Sequence, residues 1–242
     1  MKIQHWAVSD KGNKRESNQD SYLVNESHGL YVVADGMGGH SGGEVASSIA
    51  VQTLEAEVKL HKADSTSTRE KLFKAYEQAS IRIFDKAATE SPELTGMGTT
   101  MVSCLVDKQR IYISNVGDSR CYLYRDQKLW QVTEDHSLMN EQIRTGLLRP
   151  DQMANFVGKN VITRSVGYER LVHPDIIDRE IFAGEAYLLC SDGLTGMVPD
   201  QKICEIFKDK PLQEVAIALV QAALANGGDD NVTVLLLNFS DN

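Results

Sequence analysis

The sequence has no CxxC pair, no run of about 18 apolar residues, and no excess of positive charge. Each absence removes a class of function. Cys104, Cys121, Cys190 and Cys204 lie far apart, so buried free thiols are expected rather than a zinc site. Lacking a long apolar run, the chain gives no membrane span and no membrane partner to expect. Met1–Asp10 lacks the apolar stretch of a signal peptide, so a cytoplasmic location is expected. Lys and Arg number 25 against 34 Asp and Glu, a net charge of −9, which suits nucleic acid poorly. An acidic protein that handles phosphate needs local arginines or bound cations.

Repeats, low-complexity tracts and Pro/Gly/Ser linkers are missing too, so 1–242 reads as one domain. Hydrophobic residues make up 42% and charged residues 24%, an ordinary balance for a globular chain with a sizeable core.

Apolar runs predict strands at Ile3–Val8, Tyr22–Val24, Leu30–Ala34, Thr99–Val106, Ile111–Val116, Cys121–Tyr124, Leu129–Val132, Ile176–Ile181, Ala186–Cys190 and Val232–Phe239. Helical spacing of Val45, Ile49, Leu54 and Val58 predicts a helix over Glu44–Leu60. Leu72, Tyr76, Ala79, Ile83 and Ala87 predict another over Arg69–Ala88. Further helices are expected at Ser137–Gly146, capped by Ser137, and at Asp200–Phe207 and Leu212–Ala225. Turns are expected at Asp35-Gly36 and Ser191-Asp192-Gly193. Hairpins are expected through Gly117-Asp118-Ser119 and through Arg125–Lys128. The polar, irregular stretch Leu147–Asn160 reads as an exposed flap, which with the short helix before it spans about 137–160. Strands clustered between helix pairs predict an α+β layered domain with two packed sheets, not a doubly wound parallel sheet.

Four aspartates share one kind of position. Asp35, Asp118, Asp192 and Asp230 each stand at the edge of a predicted buried strand beside a turn residue, and Asp20 precedes another strand. A single such Asp is ordinarily a turn residue. Several converging carboxylates cannot all stay ionised without cations, and hard divalent ions, Mn²⁺ or Mg²⁺, answer that need. The glycine-rich stretch Gly36–Gly43 lacks the Gly-Lys-Ser/Thr of a phosphate loop and the third glycine of a dinucleotide fingerprint, which disfavours a nucleotide-binding enzyme. Gly36 instead allows close approach of the backbone, for example to a metal. Arg15, five residues before Asp20, has the planar fork that suits phosphate.

These segments, taken in order, resemble the type 2C metal-dependent serine/threonine protein phosphatases, especially small bacterial members. The resemblance rests on RESNQD (Arg15–Asp20), VVADGMGGHSGGE (Val32–Glu44), GMGTT (Gly96–Thr100) and NVGDSR (Asn115–Arg120). DHS (Asp135–Ser137), NVITRSVG (Asn160–Gly167), SDGL (Ser191–Leu194) and GDDNVTV (Gly228–Val234) complete it. It covers essentially the whole chain. It implies a four-layer α-β-β-α sandwich with two central antiparallel sheets. It also implies a metal site of two core ions, Mn²⁺ or Mg²⁺, with a third ion outside them. Asp35 would bridge the core ions and Gly36 would lend its carbonyl. Asp192 and Asp230 would hold the first ion, Asp20 would act through metal-bound water, and Asp118 would hold the third ion with Asp192. Arg15 would grip the substrate phosphate, while Asn231 and Thr100 would support the site. Two ions about 3.5–4 Å apart can acidify a shared water for in-line attack on phosphorus. No cysteine has the CxxxxxR context of a thiol phosphatase, which agrees.

Met37 stands where many eukaryotic members carry the histidine proposed as general acid. That leaves His40 and a metal-bound water as candidates for protonating the leaving alcohol. Gln19 replaces a eukaryotic Glu. Phosphorylated proteins are the expected partners, a serine/threonine kinase among them, and a monomer is expected. The rival reading is a phosphatase-like binding module without catalysis. Such a module would be expected to lose metal aspartates, and none is lost here.

Overall fold

The computed structural model describes residues 1–38, 42–60, 66–89, 92–149, 152, 156, 158 and 161–241. Its strands are β1 (Lys2–Asp10), β2 (Asp20–Asn25), β3 (Leu30–Met37), β4 (Gly98–Thr99), β5 (Met101–Asp107), β6 (Arg110–Val116), β7 (Arg120–Arg125), β8 (Lys128–Gln131), β9 (Asp175–Glu180), β10 (Ala186–Cys190) and β11 (Val232–Ser240). The helices are α1 (Gly42–Leu60), α2 (Thr68–Thr89), α3 (Leu138–Arg144), α4 (Asp192–Thr195), α5 (Asp200–Asp209) and α6 (Leu212–Ala225). One sheet runs β1-β11-β10-β7-β8. The other runs β2-β3-β5-β6-β9, with β4 added beside β3. Every strand pair is antiparallel.

The layering follows from the period-two alternation of side chains along each central strand. On β3, Val32 and Ala34 face α1 and α2, while Tyr31 and Val33 face the other sheet. On β10, Leu188 and Cys190 face α5 and α6, and Tyr187 and Leu189 face inward. β11 divides the same way, Val234 and Leu236 outward, Leu235 and Leu237 inward. Both faces of these strands are buried, which is why they read as unbroken apolar runs. The result is the α-β-β-α sandwich, with one core between the sheets and one beneath each helix layer.

Four local expectations need correction. Asp35-Gly36 is not a turn: β3 continues to Met37, because Gly36 and Met37 pair with Thr99 and Gly98 of β4. The predicted strand Thr99–Val106 is accordingly split, β4 pairing with β3 and bridging Val166 through Thr99, and β5 starting at Met101. Gly117-Asp118-Ser119 does not close a hairpin, since β6 and β7 belong to different sheets and this segment carries the chain across. Gly117 makes the crossing at φ +104°, where a Cβ would lie 2.6 Å from the Thr100 side chain. The turn after β10 is the start of α4. By contrast β7 and β8 do form the predicted hairpin, with Asp126 and Gln127 at positive φ as a type I′ turn demands. Ser137 caps α3 through Asn140 N.

Candidate active site

The crossing of the chain between sheets and the ends of three strands meet at one edge of the sandwich. Asp20 and Asp35 are cross-strand partners at the start of β2 and near the end of β3. Asp118 lies in the β6–β7 crossing. Asp192 opens α4 immediately after β10, and Asp230 stands two residues before β11. Ser191 ties the groups together: its hydroxyl donates to Asp20 Oδ2 (2.8 Å) and accepts from Thr233 N (2.9 Å). Thr100 does the same for the crossing. Its Oγ1 accepts from Asp35 N (3.0 Å) and bonds Ser119 Oγ (2.7 Å). Asn231 pins the Arg15–Asp20 loop to the Asp230 loop, accepting from Gln19 N and donating to Lys11 O and Ser17 O, each at 2.8 Å.

Gly36 has a reason nearer than a metal. A Cβ there would fall 2.0 Å from Gly43 O and 2.7 Å from Gln19 O. Only a glycine lets β3 press against the first turn of α1.

The electrostatics are those of buried like charges. Burial, then the charges of Asp20, Asp192 and Asp118, push Asp35 far above the usual carboxylate range. Asp192 is pushed up as well, by burial and then by Asp230. The Asp35 and Asp192 carboxyls also act directly on each other, which raises Asp35 further and holds back the rise of Asp192. Burial is also the main cause for Asp20, which rises to about 6, and for Asp118, which rises to about 7. Arg15, half exposed, donates to Asp230 Oδ2 at 2.6 Å, and this bond raises its pKa. The guanidinium forms part of a cleft of about 500 Å³ lined by Asp118, Arg120, Asp135, Asp192 and Asp230.

Three carboxylate oxygens, Asp20 Oδ1, Asp118 Oδ1 and Asp192 Oδ1, are buried with no hydrogen-bond partner. A buried carboxylate oxygen left unpaired is costly, and a hard cation is the partner that suits it. Among the described residues no three His, Cys, Asp or Glu side chains already form a set that could hold an ion. Asp20 and Asp230 are instead engaged with Ser191 and Arg15. Donor type and unpaired oxygens nonetheless fit divalent ions, whose binding would replace those pairs.

The structure thus gathers Arg15, Asp20, Asp35, Gly36, Asp118, Asp192 and Asp230 at one edge. His40 lies outside the described residues. Sequence reasoning missed Ser191, and it missed the bidentate pair of Arg120 with Asp135, whose shortest contact is 2.7 Å. That pair joins the NVGDSR and DHS segments. The opposite charges of Arg120 and Asp135 were the signal that could have found it.

The profile of the family described as Protein phosphatase 2C matches residues 7–232. The serine/threonine phosphatase stp of Listeria welshimeri is 40% identical over 235 residues, covering 95% of this chain and 93% of that protein. The crystal structure of Mycobacterium tuberculosis serine/threonine phosphatase PstP superposes with a TM-score of 0.90 at 34% identity, over 99% of both chains. The PstP catalytic domain in complex with two manganese ions gives 0.87 at 35% identity, again over 99% of both. Fold and likeness together define a phosphoprotein phosphatase, a hydrolase of phosphoserine and phosphothreonine in proteins. The chain belongs to the protein phosphatase 2C family.

Proposed function

We propose that the chain removes phosphate from serine and threonine with two divalent ions held by the aspartate edge and a third beside them. Asp35 and the Gly36 carbonyl would hold the core pair with Asp192 and Asp230. Asp20 would contribute through water, and Asp118 would share the third ion with Asp192. Bound Mn²⁺ or Mg²⁺ would supply Lewis acidity, lowering the pKa of water and offsetting phosphoryl charge. The observation that carries the reading is the set of three unpartnered, buried carboxylate oxygens beside a half-exposed arginine. Arg15 offers its remaining N–H groups to the phosphoryl oxygens. Ser191 holds the Asp20 carboxylate, and Thr100 holds the main chain at Asp35, by the hydrogen bonds given above. Substrate choice would fall to 147–160, a stretch of which few residues are described.

A serine/threonine kinase among the substrates belongs to the proposal and rests on the resemblance alone. So does a monomeric state. A cytoplasmic location is supported by four free cysteines, which a reducing compartment preserves. No helix among the described residues is long and apolar enough to cross a membrane. The test is a phosphopeptide assay with Mn²⁺, Mg²⁺ and chelator arms. Turnover is expected with either ion and none after chelation; full activity in the chelator arm would overturn the reading.

A further inference from the structure

The DHS and NVITRSVG segments have no part in the chemistry above, yet the fold brings them together next to it. His136 is buried, and its Nδ1 accepts from the amide of Gly117 at 3.1 Å. A backbone amide can only donate, so Nδ1 carries no proton. The ring proton therefore sits on Nε2, which faces Asp175 Oδ2 at 3.2 Å and donates to it. Burial, opposed by that carboxylate, lowers the pKa of the ring, in keeping with a neutral imidazole. Arg164 fixes Asp175 from the other side, donating to Oδ1 at 2.8 Å and to His173 O at 3.1 Å. The main chain adds His136 N to Gly117 O (3.0 Å) and Thr163 N to His136 O (2.8 Å).

Gly117 immediately precedes Asp118 in the crossing between the sheets. One oxygen of Asp118 is buried without a partner, so the aim of the carboxylate depends on the turn that carries it. We infer that His136 is a positioning residue: clamped between Asp175 and the Gly117 amide, it holds the turn that presents Asp118 to the site. Arg164 anchors the clamp. Its consequence for turnover rests on Asp118 serving the third ion, as proposed above.

The experiment is a double-mutant cycle of His136→Ala and Asp118→Asn, with His136→Asn as rescue and an aryl phosphate as substrate. In parallel, NMR reads the ring-nitrogen tautomer of the wild-type protein and the exchange protection of the Gly117 amide in each variant. His136→Ala is expected to cost roughly 10–100-fold in kcat/KM, as loss of a ligand-orienting partner does. It should add nothing to the loss in Asp118→Asn. His136→Asn, which keeps an acceptor near the Nδ1 position, should recover much of the activity and the Gly117 protection. Where Asp118→Asn loses activity, additive losses or wild-type turnover in His136→Ala would overturn the inference; a proton found on Nδ1 would overturn it in every case. Should Asp118→Asn be silent, the third-ion reading fails on its own. Gly117 then decides: protection lost in His136→Ala and regained in His136→Asn supports the clamp, and protection retained in both refutes it.

Discussion

Removing divalent ions with a chelator should turn the aspartate edge into a pH-dependent weakness of the fold. Asp118 rises from the ordinary 3.8 to about 7 and Asp20 from 3.8 to about 6, burial being the chief cause in both. Each unit is worth about 1.4 kcal/mol. Forcing the charge on Asp118 thus costs ~4 kcal/mol, and on Asp20 ~3 kcal/mol. Both feel Asp192, so the two costs overlap and their combined effect is smaller than their total. Even one is a large share of the about 5–15 kcal/mol that holds a typical domain together. The direction follows from proton linkage. The folded state keeps protons that the unfolded state releases, so this stabilising contribution is whole below about pH 4. It is lost as pH rises through about 6 and then about 7. Asp35 and Asp192, also raised, act in the same sense. Asp175 and Asp178, whose pKa values are lowered, lose their contribution only as pH falls, outside this window; His136, lowered from 6.5 by burial, opposes the fall within it as pH rises to about 6.5, one group against four raised carboxylates. Urea unfolding at a series of pH values, with chelator and with excess Mn²⁺, measures the effect. Stability should fall across the window in chelator and should not fall with Mn²⁺. Asp118→Asn should flatten the chelator curve near pH 7. A chelator curve that stays level or climbs would refute the reasoning.

Three further perturbations separate binding, geometry and scaffold. Arg15→Ala should lower kcat/KM roughly ten- to a hundredfold, the worth of a charged hydrogen bond, through KM more than kcat; steady-state kinetics decide, and an unchanged KM would count against phosphate gripping. Gly36→Ala places a methyl 2.0 Å from the Gly43 carbonyl, where no side chain can swing aside, so about 1–3 kcal/mol of stability and most turnover should go together. Urea midpoints and activity measured on the same preparation check it. Glu185 is fully buried and binds Arg179 (2.6 Å), Arg125 (3.4 Å) and the Tyr187 hydroxyl (3.1 Å). Glu185→Ala should cost about 3–5 kcal/mol while leaving kcat intact below the melting temperature. The residue precedes β10, and Asp192 follows its far end.

The sequence by itself determined the elements. Period-3.6 spacing marked α1 and α2, and apolar runs marked the central strands. The capping Ser137 marked the start of α3, and Arg125–Lys128 marked a hairpin. These signals are local, each carried by a handful of neighbouring residues. Aspartates at strand edges were legible for the same reason, as was the order of segments shared with the protein phosphatase 2C family. What the tertiary structure alone decided is which edges meet. A strand buried on both faces shows no alternation, so its sequence cannot say which sheet it joins. That is why Gly117–Ser119 read as a hairpin and proved to be the crossing between sheets. The closeness of Gly36 to Gly43, the Ser191 bond to Asp20 and the Arg15 pair with Asp230 are equally invisible along the chain. The partners of the last two stand 171 and 215 residues apart. No spacing rule reaches that far. Such contacts come from packing two sheets face to face, which sets the strand ends at one edge and leaves their carboxylates together.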